Sequence, residues 1–122
     1  METQLHVNLS VRLFTDRKCF GPGIAQLLHR VEEYHSLRAA AQSMEMAYSK
    51  AWKVIRTSEE GLGFRLLVST TGGKNGGGAV LTEEAETMLT AYDAYCAELR
   101  EWADRRFRET FSFYEEMAGE GL

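Results

Sequence analysis

The sequence predicts an α+β domain that ends in one long helix, and three observations support this prediction. Apolar and polar residues alternate strictly over residues 4–14, which is the period of a half-buried strand. Apolar residues recur at steps of three and four over residues 22–60 and again over residues 83–117, which is typical of amphipathic helices. Between these helical regions, a glycine-dense stretch separates two short apolar runs, which indicates a β-hairpin.

Size and composition favour a single globular domain. The chain has 122 residues, of which 44% are hydrophobic and 26% are charged. No apolar stretch approaches the ~18 residues that a membrane span needs, and the N-terminus lacks the pattern of a signal peptide. The cysteines Cys19 and Cys96 form no CxxC pair. Together these features predict a bacterial-type cytoplasmic protein with free thiols and no membrane partner.

Charge is distributed unevenly along the chain. The net charge is −4, but residues 36–81 carry 6 basic and 3 acidic side chains, whereas residues 82–122 carry 4 basic and 11 acidic ones. A basic central segment beside an acidic C-terminal segment predicts that one face of the molecule meets an anion and that the acidic segment lies elsewhere.

The N-terminal elements are a strand and a helix. Five apolar residues from Leu5 to Leu13 share one face of the predicted strand, whose next candidate partner comes only after residue 64. Gly21-Pro22-Gly23 interrupts this pattern, and Pro22 suits the first position of a helix over residues 22–34.

Two further helices follow closely. Ser36 is a suitable N-cap for the second helix, and residues 45–47 form only a short connection. The third helix is predicted over residues 48–60, with Gly61 and Gly63 ending it. Ser49, Lys50, Lys53, Arg56 and Thr57 fall on its outward side, whereas the spacing of Trp52 with Ala51 and Ile55 favours a place in the core over base stacking.

The hairpin and the last helix complete the chain. Residues 64–69 and 79–81 are the predicted strands, with Thr70, Thr71, Lys74 and Asn75 at the tip of the hairpin. Thr82 suits an N-cap for a helix of roughly 35 residues, which would be about 50 Å long and would outreach a small domain. A second copy of the chain is the expected cover for its aromatic stripe. The predicted dimer contacts are Tyr92, Tyr95, Leu99, Trp102, Phe107 and Phe111.

This order of elements predicts a winged helix-turn-helix. The predicted DNA-binding domain spans residues 1–82, with the helix-turn-helix at about 36–60 and the wing at about 64–81, and residues 83–118 form the dimerisation helix. An apolar stripe would hold the third helix while hydroxyls and cations on its other side reach bases and phosphates. Ser36 is expected to position a phosphate, and Thr71, Lys74 and Asn75 are expected to contact DNA from the wing.

The segments SLRAAAQSMEMAYSKAWKVI (36–55) and TTGGKNGGGAVLT (70–82) resemble the N-terminal DNA-binding domain of the ModE family, which is LysR-like. The resemblance covers nearly the whole chain. It implies a homodimeric transcription regulator with Tyr48, Ser49, Lys50 and Lys53 on its recognition helix and Lys74 and Asn75 on its wing.

The sequence departs from that family in three respects. The chain stops after the predicted dimerisation helix, so the resemblance implies a stand-alone member without molybdate-binding domains. Glu45 stands where the family tends to have glycine and is expected to strain the turn. Ala47 stands where serine is frequent and removes a possible cap, worth about 1 kcal/mol.

Other chemistries find little support in the sequence. The glycine-rich segment lacks the GxxxxGK[ST] order of a nucleotide-binding loop. A DNA-contacting wing is the favoured interpretation of this segment, and a flexible hairpin without contacts is the alternative. The three histidines are scattered, and the acidic residues accompany no nucleophile or base. No metal, no cofactor and no catalytic residue is therefore expected.

The sequence thus predicts a homodimeric, DNA-binding transcriptional regulator for which double-stranded DNA with an inverted repeat is the partner. The alternative is a winged-helix protein-interaction module that has lost DNA binding, which the net charge of −4 and Glu45 favour. The sequence indicates no particular effector.

Overall fold

The structure is a computed structural model, and it describes residues 4–70 and 78–121. The described part contains five helices and two small antiparallel sheets, which confirms the predicted α+β winged helix-turn-helix. In chain order the elements are β1 Leu13–Phe14, β2 Lys18–Phe20, α1 Pro22–Tyr34, α2 Leu37–Ser43, α3 Tyr48–Leu62, β3 Leu67–Ser69, β4 Ala79–Leu81, α4 Glu83–Thr110 and α5 Tyr114–Glu120.

One hydrophobic core holds these elements together. Helix α1 lies at its centre, and its apolar face packs against α2, α3 and the first half of α4. The largest side chains that are almost completely buried are Phe20, Leu27, Leu28, Leu37, Ile55, Leu66 and Val31. The apolar periodicity of the three consecutive helices therefore identified the core-facing sides correctly.

Side-chain caps fix two helix starts as the sequence predicts. The Oγ of Ser36 accepts a hydrogen bond from the Ala39 N–H at 3.0 Å, and the Oγ1 of Thr82 accepts one from the Ala85 N–H at 3.0 Å. Each cap satisfies one N–H of the first turn that has no partner within the helix. The Thr82 hydroxyl also donates to the Arg65 carbonyl at 2.7 Å, which joins the start of α4 to the chain before the hairpin.

The prediction of one strand over residues 4–14 is wrong except at its end. Only Leu13 and Phe14 form a strand, and their partner is the nearby β2 rather than a segment beyond residue 64. Because Pro22 starts α1 immediately after β2, only three residues are available for pairing. The alternation remains in the extended chain before β1, where Leu5 and Leu9 are 42% and 39% exposed.

The hairpin β3–β4 is confirmed, with β3 shorter than expected. Leu67 pairs with Leu81, Val68 with Val80, and Ser69 with Ala79. Leu67 and Leu81 face the core, whereas Val68 and Val80 are exposed on the other side of the hairpin. This alternation places the hairpin on the surface of the domain as a wing.

Helix α4 ends earlier than the sequence predicts. A turn over residues 111–113 separates it from α5, so the expected continuous helix to about residue 117 is interrupted. Thr110, Ser112 and three aromatic residues lie around this break, and all have lower helix propensity than the alanines and leucines of the first half. The remaining α4 has 28 residues and is about 42 Å long.

Tyr92 fastens α4 to the core of its own chain. Its ring packs edge-to-face on Phe20, with 4.9 Å between the ring centroids, and its hydroxyl donates to the Val11 carbonyl at 2.7 Å. Only 6% of the residue is exposed. The expectation that Tyr92 contacts a second copy is therefore corrected, since its side chain is already covered.

Burial raises the pKa of Tyr92 to about 12, with the neighbouring Cys96 thiol adding to the rise. The folded state thus favours the protonated phenol, and this stabilisation is complete below the unfolded pKa of about 10 and is lost between about pH 10 and about pH 12. We expect Tyr92→Phe to be less stable than the wild type by about 1 kcal/mol at neutral pH, because Val11 loses its donor.

The difference in unfolding free energy between the wild type and Tyr92→Phe should shrink as the pH rises above about 10, because only the wild type loses the stabilisation from Tyr92. The other four tyrosines are common to both proteins and do not contribute to the difference. Urea unfolding at a series of pH values measures it. A difference that stays constant to about pH 11 would contradict the assignment.

Candidate nucleic-acid interface

The helix-turn-helix is held by a short and tightly bonded turn. Leu37, Ala40 and Ala41 bury one side of α2, and the Ala41 carbonyl accepts from the N–H of both Met44 and Met46, at 3.0 and 2.9 Å. Because alanine has so small a side chain, α1 and α3 approach α2 closely here. The turn thereby sets the angle at which α3 leaves α2.

The turn contains a strained residue, as the sequence predicts. Glu45 has a φ of 54°, in the left-handed region where a residue other than glycine is uncommon. The next helix also lacks a side-chain cap, because Ala47 occupies the N-cap position of α3. The left-handed conformation of Glu45 and the missing cap at Ala47 therefore both lower the stability of the fold, and the packing of the helices on either side of the turn compensates for them.

Helix α3 is buried on one side and polar on the other. Ala51, Ile55 and Ser58 face the core, and the Ser58 hydroxyl donates to the Cys19 carbonyl. The predicted outward residues are all exposed: Ser49, Lys50, Lys53, Arg56 and Thr57. Among the described residues, no carboxylate lies within 4.0 Å of the three cations of this set. Their charge is therefore available to an external anion.

A row of stacked side chains borders the exposed side of α3. The Arg38 guanidinium lies 4.0 Å from the ring centroid of Tyr48, which packs edge-to-face on Trp52 at 6.4 Å. The Arg56 guanidinium in turn lies 5.4 Å from the Trp52 centroid. Such cation–π contacts fix the direction of both arginines while leaving them charged.

Two features of this row differ from the sequence analysis. Trp52 is only partly buried, so it is packed against the core and also forms part of the surface. Arg38 is not among the residues that the sequence pattern predicts for the DNA-binding surface. Its place two residues after the Ser36 cap, on the polar side of α2, could have indicated an exposed cation there. It adds a fourth exposed cation beside the recognition helix.

The base of the wing lies against the start of α2. Ser36 forms a bridge with Gly78, the Ala79 N–H donates to the His35 carbonyl at 3.2 Å, and the Thr70 N–H donates to the Gly78 carbonyl at 2.9 Å. A Cβ on Gly78 would lie 2.1 Å from the Thr70 Oγ1, so this close approach favours glycine. Ser36 therefore lies where α2 and the wing meet, whereas Thr71, Lys74 and Asn75 fall outside the described residues.

Residues 4–70 and 78–121 contain no metal-ligand cluster, no disulfide and no membrane-spanning helix. No group of three or more His, Cys, Asp or Glu side chains there could hold a metal ion. Both cysteines are buried and unpaired. None of the described helices is long and apolar enough to cross a membrane.

A helix-turn-helix whose second helix exposes unpaired cations, with a wing beside it, defines the DNA-binding class of winged-helix proteins. Residues 25–86 match the family of bacterial regulatory helix-turn-helix proteins of the lysR type. The chain belongs to this family, which confirms the LysR-like character predicted from the sequence.

Individual relatives agree with the resemblance to ModE. The transcriptional regulator ModE of Haemophilus influenzae is 35% identical over 92 residues, which cover 75% of this chain and 34% of that protein. The DNA-binding transcriptional dual regulator ModE of Escherichia coli K12 is 32% identical over 92 residues, covering 75% and 33%. The molybdenum-pterin-binding protein MopB of Rhodobacter capsulatus is 35% identical over 68 residues, covering 56% and 25%. The chain thus spans about a third or less of these relatives.

The strained turn leads to a stability prediction. We expect Glu45→Gly to be at least as stable as the wild type and Glu45→Val to be less stable by about 1–2 kcal/mol, because a β-branched side chain suits the left-handed conformation least. Gln26→Gly, at an exposed position in the middle of α1, is the control and should cost about 1 kcal/mol. Urea unfolding of the three variants measures these differences. A loss with Glu45→Gly as large as with Gln26→Gly would disprove strain at this position.

Proposed function

We propose that the chain acts as a sequence-specific, DNA-binding transcriptional regulator in the bacterial cytoplasm, and as a homodimer. The observation that carries the proposal is the exposed side of α3, where Lys50, Lys53 and Arg56 have no carboxylate within 4.0 Å among the described residues. In a helix-turn-helix this is the side that enters the major groove. The regulators named among its relatives support the same role.

Each polar residue of this surface has a distinct role in the proposal. Lys53 and Ser49 lie on the outermost part of α3 and would contact base edges, whereas Lys50 and Thr57 lie on one flank and Arg56 on the other, where phosphates border the groove. Tyr48 would hold Arg38 in place through the stacking contact described above.

The surroundings of α3 extend the proposed interface. The Oγ of Ser36 already accepts the capping hydrogen bond, so its hydroxyl hydrogen is the group that would donate to a phosphate. The wing starts beside Ser36, and its residues Thr71, Lys74 and Asn75 would contact the flanking minor groove or backbone.

The dimer is proposed from the second half of α4 and from α5. No described residue beyond Cys96 is buried. Large apolar side chains are exposed in this part of the chain, with Tyr95 53%, Trp102 56% and Phe111 43% exposed. Leu99 and Phe107 lie on the same stripe. A second copy would cover this stripe on both chains at once through a two-fold axis, and would place two α3 helices over an inverted repeat.

The DNA-binding proposal is tested through the salt dependence of affinity. We expect purified wild-type protein to enrich an inverted repeat from genomic fragments, and its affinity for that repeat to fall steeply with salt, because binding displaces counterions from phosphates. The double variant Lys50→Ala/Lys53→Ala should bind at least about 100-fold more weakly and with a shallower salt slope. Arg108→Ala, an exposed change on α4, is the control.

The alternative function gives a different result in the same experiment. A winged-helix module that binds other proteins would enrich no DNA fragment. The variant Lys50→Ala/Lys53→Ala of such a module would still bind its protein partner. A folded wild-type protein without salt-dependent DNA binding would therefore overturn the proposal.

The dimer is tested by placing a charge within the aromatic stripe. We expect Trp102→Glu to sediment as a monomer and to bind the inverted repeat at least about 100-fold more weakly, because two linked half-site contacts become one. Arg108→Glu introduces the same carboxylate at an exposed position of α4 that is not among the predicted dimer contacts, and this variant should remain dimeric. Since Trp102 is exposed and outside the core, circular dichroism should show unchanged folding. A dimeric Trp102→Glu would place the contact elsewhere.

A further inference from the structure

A cationic groove of about 570 Å³ lies between the β1–β2 hairpin, the start of α1 and one flank of α3. Four basic side chains line it, two from the hairpin region and two from α3, and no acidic side chain is among the residues that line it. The four are Arg12, Lys18, Lys50 and Lys53. Charges of one sign gathered in a groove concentrate the field and attract an ion of the opposite sign.

These cations have no internal counter-charge within residues 4–70 and 78–121. None of the four has a carboxylate within 4.0 Å, and the only partner of the Arg12 guanidinium there is the Ser10 hydroxyl at 2.9 Å. Arg17, at the tip of the same hairpin, is different, because it lies 3.6 Å from Asp16 and 3.5 Å from Glu60. The arginine that does not line the groove is thus neutralised, whereas Arg12 and Lys18, which line it, have no carboxylate within 4.0 Å among the described residues.

The start of α1 makes the groove still more positive. Gly21 provides no capping side chain, Pro22 follows it, and the first turn has no acidic residue. Arg12 packs directly over this end, since a Cβ on Gly21 would lie 3.3 Å from its Cγ. A cation beside the positive end of a helix dipole is unfavourable in the free protein, and an anion between the two would relieve it.

We propose that this groove binds backbone phosphates of the DNA strand that borders the major groove occupied by α3, and that Arg12 and Lys18 are phosphate contacts. The inference rests on the proposed function and adds the N-terminal hairpin to its interface. Lys50 and Lys53 belong to the groove and to the exposed side of α3 together, so a single polyanion can contact both. This continuity favours a nucleic-acid backbone over a free phosphate ion.

Phosphate contacts of this kind would be independent of sequence. Arg12 and Lys18 would fix how far α3 enters the major groove of the DNA and how α3 is rotated about its own axis, while side chains on α3 would read the bases. Because β2 is attached to α3 through the Ser58–Cys19 hydrogen bond, the hairpin and α3 would move onto the DNA together.

The test compares the DNA affinities of Arg12→Gln, Lys18→Gln and the control Arg108→Gln. Each is measured on the inverted repeat that the wild-type protein enriches and on a mixed-sequence duplex. We expect each groove variant to lose about fivefold to tenfold in affinity at about 0.1 M salt, equally on both duplexes, and to lower the salt slope by about 0.9. The control should match the wild type. Thermal unfolding without DNA should show Arg12→Gln to be no less stable than the wild type.

The outcomes separate this inference from the proposed function. If wild-type protein binds DNA but both groove variants keep its salt slope, the groove does not contact phosphate and the inference fails while the function stands. If wild-type protein binds no DNA, the function fails first. Titration with inorganic phosphate at constant ionic strength is the remaining arm, and saturable binding that Arg12→Gln abolishes, with DNA binding unchanged, would assign the groove to a free anion and overturn the inference.

Discussion

The anchoring of α3 on its buried side is the constraint on which the rest of the structure depends. Ala51 and Ile55 are completely buried, and the Ser58 hydroxyl bonds to the backbone of β2. The approach is so close that a Cβ on Gly61 would lie 2.5 Å from the Cβ of Cys19. A helix fixed so firmly on one side presents the other in one orientation. The positions of its cations, of the hairpin and of the stacked row with Arg38 all follow from this packing.

Charge is separated within the fold in a way that the net charge conceals. The first turn of α4 carries Glu83, Glu84 and Glu86, where negative charge is favoured by the positive end of the helix dipole. Acidic residues thus stabilise the helix that leads away from α3, while Lys50, Lys53 and Arg56 on the exposed side of α3 have no carboxylate within 4.0 Å in the described ranges. A net charge of −4 is therefore compatible with a basic face, and it lowers the non-specific attraction to nucleic acid that an evenly basic protein would have.

Elements with several independent local signals were predictable from the sequence, and those that depend on a partner were not. Helix α1 begins at Pro22 and ends at Tyr34 as expected, because proline and apolar spacing agree there. Residues 4–12 have a strand pattern, but a strand needs a hydrogen-bonding neighbour, which the pattern cannot supply. In the proposed interface, the outward positions of α3 follow from its helical period, and the place of Arg38 on the polar side of α2 could also be read from the sequence. The contact of Arg38 with Tyr48 and the place of Arg12 in the groove depend on how separate elements pack, which the sequence pattern does not show.

The turn before α3 shows how function and stability compete at one place. Glu45 is strained and Ala47 gives no cap, and either defect alone costs about 1 kcal/mol. The backbone nevertheless keeps its course, because the Ala41 carbonyl accepts hydrogen bonds from the Met44 and Met46 N–H groups and because α2 and α3, which flank the turn, each bury one face in the core. The bonded turn and the packing of both helices therefore fix the angle between α2 and α3 despite these two local defects. The exposed carboxylate of Glu45 lies in the turn just before the N-terminus of α3. Under the proposed function it would repel phosphate there, and binding would then depend more on the correct base contacts than on charge alone.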